Sequence, residues 1–131
     1  MIIGTTKNKY ITPIKKTTSP MWLNERPTRF IFSHYVYPRH PAINDGQDGN
    51  YIYAKKNAEG RWVPVYIGEG ALAMRATPDH HRIKCIDSKG ATHVHLRLNS
   101  NKDVRRAEET DLLANYTNAL APNGCNLNPT G

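Results

Sequence analysis

No apolar run in this sequence comes near the ~20 residues that a membrane-spanning helix requires, which excludes a helical span from the reading. The opening, "MIIGTTKNKYITPIKK", meets polar and charged residues too early to hold the apolar centre of a secretory signal. A cytoplasmic protein that does not engage a membrane is therefore expected, with release as an effector by a route that needs no cleaved signal left open. Cysteine is scarce. Cys85 and Cys125 are the two present, and neither belongs to a C-x-x-C pair, which argues against a zinc ribbon. Two reduced thiols are the expectation for a cytosolic chain, a disulfide between them being allowed but not required. No long internal repeat is visible, which excludes a solenoid. Acidic residues are short as well: 11 face 18 lysines and arginines, for a net charge of +7. Such an imbalance is the common footprint of a polyanionic partner, nucleic acid foremost.

The 131 residues, 38% of them hydrophobic, suffice for one domain with a modest core. Residues 1 to about 28 are rich in Thr, Lys, Pro and Asn and read as a peripheral arm. "RFIFSHYVYP" (29–38) has the aromatic and β-branched density of an accessory strand, and "RHPAINDGQDGN" that of a loop. "YIYAKK" and "RWVPVYIG" then flank the turn "NAEG", the pattern of a β-hairpin. Pro64 cannot donate to a ladder and so belongs at an edge or a bulge. "GALAMRAT" spaces Leu72, Arg75 and Ala76 helically, whereas "DHHRIKCIDSKG" reads as a polar loop. "THVHLRL" alternates Val94, Leu96 and Leu98 against His93, His95 and Arg97, the pattern of a half-buried strand with a polar outer face. "NSNKDVRRAEETDLLANYTNAL" predicts the main helix, capped by Ser100 or Asn101, with Val104, Ala107, Leu112 and Leu113 as its apolar stripe. The expected fold is α/β of the α+β kind: a small, largely antiparallel three-stranded central sheet flanked by helices, with an N-terminal extension. An arm and accessory strand would occupy 1–48 and a catalytic domain 49–131.

The two triplets of the hairpin, Tyr51-Ile52-Tyr53 and Tyr66-Ile67-Gly68, carry a resemblance to the GIY-YIG nuclease superfamily. The second triplet matches that family's Y-I-G in full; the first has Tyr51 where the family has Gly, and 12 residues (54–65) separate Tyr53 from Tyr66. Arg75, nine positions after Tyr66, is similar to the family's helix arginine, and His80 or His81 to its His or Tyr. "EETDLLANY" resembles the Glu-bearing helix and singles out Glu109 over Glu108, while "PNGCN" resembles the closing element and singles out Asn126. The resemblance spans roughly three fifths of the chain and rests on the order of its elements.

It implies a metal-dependent endonuclease acting on DNA, with Mg2+ or Mn2+ as cofactor. Its site would hold Tyr53, Tyr66, Arg75, His80 and Glu109 as catalytic residues and Glu109 as metal ligand. Lys55, Lys56, Gly68 and Asn126 would contact nucleic acid, and Lys15, Lys16, Arg26 and Arg29 of the arm would meet the phosphate backbone. The residue types suit the chemistry. Phosphodiester hydrolysis needs an activated water and charge neutralisation at phosphorus. A hard cation can be held by a single carboxylate, and an arginine fork grips phosphate where lysine cannot. Tyrosine, with a pKa near ~10, needs a neighbouring cation before it can act as a base. Taken one at a time, the tyrosines are ordinary strand residues and Glu109 an ordinary partner for Arg105 or Arg106. Three other readings compete: a degenerate, non-cutting binding module of the same fold, a toxin domain using the same chemistry, and a transition-metal site built from His80, His81, His93, His95 and Cys85.

Overall fold

A computed structural model describes residues 32–129 and, as backbone only, the strand 15–19; side chains are described from Tyr35 onward. The elements are β1 (Lys15–Ser19), β2 (Phe32–Pro38), β3 (Asp48–Lys56), β4 (Trp62–Ala71), α1 (Leu72–Arg75), α2 (Ile83–Ser88), β5 (His93–Leu98) and α3 (Lys102–Asn115), followed by a 3₁₀ turn at Thr117–Ala119. The strands form one antiparallel sheet in the order β1-β2-β5-β3-β4. The domain is thus a small α+β fold. The sheet does not stop at three strands: β2 joins β5 through the pairs Tyr35–Leu96 and Tyr37–Val94, and β1 extends the edge beyond it. β1 lies inside the segment read as an arm. Arg26 and Arg29 fall outside the described residues, as do the side chains of Lys15 and Lys16.

The hairpin forms as its turn chemistry demands. Asn57 accepts the backbone N–H groups of Glu59 and Arg61 on its side-chain oxygen, closing the turn locally. Beyond the turn, Tyr53 pairs with Tyr66 but Ala54 pairs with Pro64, leaving Val65 as the extra residue of a bulge. Pro64 therefore sits on the terminal strand beside a bulge, where no ladder donor is missed.

β3 is central and covered on both faces. Tyr51 and Tyr53 point into a tyrosine-rich layer with Tyr37, Tyr66, Val94 and Leu96, closed by Leu72 and Ala76 of the α1 turn and Ile86 of α2. Ile52 and Ala54 point the other way, with Ile67, against Leu112, Leu113, Tyr116 and Ala119. Helix α2 lies inside the segment read as loop. Its apolar positions, Ile83 and Ile86, are three apart, too brief a pattern to stand out among charges. The polar face expected of β5 is not solvated either: His95 is fully buried, edge-on to Trp62 at 4.8 Å.

Helix α3 begins where expected, with Asn101 accepting the Val104 N–H. Its buried face differs from the expected stripe. Val104 and Ala107 are exposed, while Arg105, Glu108, Glu109 and Asp111 are buried with Leu112 and Leu113. The first turns of α3 cover the polar end of the sheet, so charges there are paired instead of excluded. Glu108 accepts two N–H groups of Arg97 at 3.0 and 2.9 Å, and the Arg105 carbonyl accepts from Asn50. Buried charges persist only with such partners.

The cysteines also depart from expectation. Cys85 and Cys125 form a disulfide, joining α2 to the C-terminal segment. That segment lies along the edge of β4: the Cys125 N–H donates to the Val65 carbonyl, and the Asn126 side chain both accepts from Ile67 N–H (2.8 Å) and donates to Ile67 C=O (2.9 Å).

Candidate functional site

Two glycines shape the hairpin for a site. A Cβ on Gly68 would lie 2.5 Å from the Tyr51 ring, so the tyrosine rests on the space that the glycine leaves. A Cβ on Gly49 would lie 1.9 Å from the Arg97 carbonyl oxygen, so only glycine lets β5 pack against β3 there. Beside Gly68 the sheet edge opens into a cleft of about 490 Å³. Its walls bring together Tyr51 and Tyr66 from the hairpin, Arg75 at the end of α1, His81 from the following turn, and Arg106 and Glu109 from α3, with Glu69 beside them.

Of the residues expected to act, Tyr66, Gly68, Arg75 and Glu109 line this cleft. Tyr53 does not. Its phenol lies 3.1 Å from the imidazole of His40, and burial pushes its pKa up. The tyrosine facing the cleft is Tyr51, two residues earlier, stacked on Tyr66 with ring centroids 6.0 Å apart. Tyr51 was not among the residues expected to act; the alternation of β3 turns it, and not Tyr53, toward the cleft.

The two histidines divide. His80 is buried; its Nδ1 accepts the Arg82 N–H at 2.9 Å, leaving Nε2 to donate to the Tyr51 hydroxyl at 2.8 Å. Burial, reinforced by His81, Arg75 and Arg82, lowers its pKa to about 4, so it is a neutral imidazole that fixes Tyr51. His81 is exposed, stacked on His80 at 4.5 Å, and reaches the cleft. His93 and His95 lie across the sheet against Trp62, and Cys85 is spent in the disulfide. The imagined transition-metal cluster is therefore not assembled. Among the described residues no group of three or more His, Cys, Asp or Glu side chains is placed to hold an ion.

Lys55 donates to the Lys89 carbonyl at 2.7 Å, and Lys56 lies over the Trp62 ring; neither lines the cleft. Asn126, with both halves of its amide on Ile67, is 1% exposed and holds the strand that carries Tyr66 and Gly68.

Glu109 is 8% exposed and its pKa is raised to about 7, first by burial and then by the charge of Glu69, against the pull of Arg106 and Arg75. Glu69 is neutralised in turn by Arg105 at 3.0 Å. A buried carboxylate that faces a polar cleft and resists ionisation is one that a hard cation would stabilise. The oxygen donor also suits magnesium or manganese. Burial raises the phenol pKa of both Tyr51 and Tyr66. For Tyr66 the Glu109 charge adds to the rise and Arg75 opposes it. Both tyrosines are hydroxyl donors at neutral pH unless positive charge is added beside them.

Comparison with protein-family models, with curated proteins and with solved structures finds no match to this chain.

Proposed function

We propose that this protein is a divalent-metal-dependent endonuclease, similar to the GIY-YIG nucleases, that hydrolyses phosphodiester bonds in DNA. One observation carries the reading. Tyr66, Arg75 and Glu109, singled out by the resemblance and separated by up to 43 positions (109 − 66), converge on one polar cleft beside Gly68. In that cleft the Arg75 guanidinium grips the scissile phosphate and offsets charge developing at phosphorus. The Tyr51 and Tyr66 hydroxyls orient the attacking water from the hairpin side, with Tyr51 held by His80. The exposed imidazole of His81 is positioned to protonate the leaving oxygen. Glu109 would hold magnesium or manganese, which supplies a lowered water pKa and extra positive charge at the phosphate. The net charge of +7 favours approach of a polyanion.

The disulfide bears on compartment. Such bonds persist in oxidising surroundings and are rare in the cytosol, which supports the released-effector reading over the cytoplasmic one. Among the described residues no helix is long and apolar enough to cross a membrane.

The test is nicking of supercoiled plasmid by the purified protein with magnesium or manganese, beside EDTA and Glu109→Ala. Loss of at least ~100-fold in both controls is expected. A wild type that binds DNA yet never cuts under either metal would point to the non-cutting module.

A further inference from the structure

A second, smaller concavity of about 100 Å³ adjoins the cleft and shares Tyr66 and His81 with it. Its remaining wall is Arg82 with Cys125, Leu127 and Asn128 of the C-terminal segment. We propose that this concavity is a subsite for one unpaired nucleobase, the neighbour of the phosphate gripped in the cleft. The proposal rests on the phosphodiester reading and deepens it. It names the substrate class as nucleic acid that is single-stranded, or locally unpaired, at the cut.

Size comes first. The concavity lies well below the ~300 Å³ at which ordinary small-molecule pockets begin, so it has room for one flat ring at most and excludes a base pair. Chemistry agrees with size. Leu127 is 67% exposed although the residues just before it, Gly124 to Asn126, are buried. The same concavity is lined by the exposed His81, stacked on His80 at 4.5 Å, with the buried Tyr66 edge-on to it at 5.9 Å. An exposed ring and an apolar side chain lining one concavity offer a base a stacking surface that demands no sequence. The Asn128 amide offers one acceptor and two donors to a base edge.

The wall is also anchored. Cys125 donates its N–H to Val65, accepts from Arg82 Nε at 3.0 Å on its carbonyl, and is bonded to Cys85, while Asn126 is doubly tied to Ile67. Leu127 and Asn128 therefore leave from a fixed point. Tyr66 and His81 line both concavities, so a strand whose phosphate meets Arg75 has its next base within reach of the smaller one.

The experiment is fluorescence anisotropy in calcium buffer, with strand integrity checked on a gel, of a labelled oligothymidylate and an abasic strand of equal length. Wild type is expected to bind the base-bearing strand about 10-fold more tightly, the value of one stacked base. The double variant Leu127→Gly, Asn128→Ala should erase that preference while still binding the abasic strand, which doubles as the check on folding. Arg75→Ala should weaken both strands. Equal wild-type affinity for the two strands, or a double variant that keeps the preference, overturns the subsite alone. Failure of wild type to bind either strand overturns it together with the reading beneath it.

Discussion

At the scale of residues, Glu109, which lines the cleft, and His80, buried against Tyr51, are shifted in opposite directions. Burial lifts Glu109 from 4.5 to about 7, so the folded state holds its proton more tightly than the unfolded chain. The stability this provides is fully present below about 4.5 and is lost as pH rises through about 7. His80 is shifted the other way, from 6.5 to about 4, so its contribution is present above about 6.5 and lost as pH falls through about 4. Between these limits the two slopes largely cancel. Glu109→Gln removes one of them. Denaturant unfolding should find that variant more stable than wild type by roughly 2–3 kcal/mol at pH 8 and nearly equal to it at pH 4. A constant difference across that range would show that Glu109 ionises normally. The residue scale is also where sequence reading reached least far. Arg75, Tyr66 and Glu109, expected from the resemblance, line the cleft, but that Tyr51 and His81 line it too depends on which way a strand alternates and on which of two adjacent rings turns outward. Neither is written in a triplet.

Elements follow the same division. The hairpin, its bulge at Pro64 and the Asn101 cap were legible because backbone chemistry fixes them locally. The buried face of α3 was not, because Arg105 and Glu108 are buried by partners on other elements, Glu69 and Arg97. That the C-terminal segment clamps β4 and is bonded to α2 was not legible, since one disulfide and one asparagine give no periodic signal. The disulfide closes a loop across a separation of 40 residues, for which the chain-entropy relation gives about 4 kcal/mol. Reduction under native conditions should lower unfolding free energy by about 2–4 kcal/mol, read as a fall in the denaturant midpoint with a steeper slope, because the reduced chain unfolds to a more open ensemble. An unmoved midpoint would mean that the hydrogen bonds of Cys125 and Asn126 hold the segment alone.

For the whole molecule, charge and fold act at different ranges. On the proposed function, the excess of seven positive charges would draw a polyanion in, while Arg75 and the cleft would decide where it rests. Binding should therefore weaken steeply with salt, by at least ~10-fold between about 50 and 200 mM, and Arg75→Ala should flatten the log–log slope by about 0.7 for a single strand. A salt-insensitive affinity would contradict electrostatic capture. The two-sided core explains why so small a domain can hold a polar cleft at its edge. β3 is buried on both faces, and the site lies at the margin of the sheet, where Tyr51 of β3 meets Tyr66 and Gly68 of β4.

The most direct test of this geometry is the rate of magnesium-dependent plasmid nicking by Tyr51→Phe beside Tyr53→Phe. The cleft built around Tyr51, Tyr66, Arg75 and Glu109 predicts that Tyr51→Phe loses ~100-fold, the cost of misplacing a reacting group, while Tyr53→Phe stays within about threefold of wild type. The reverse order, with Tyr53→Phe inactive and Tyr51→Phe unimpaired, would contradict the account.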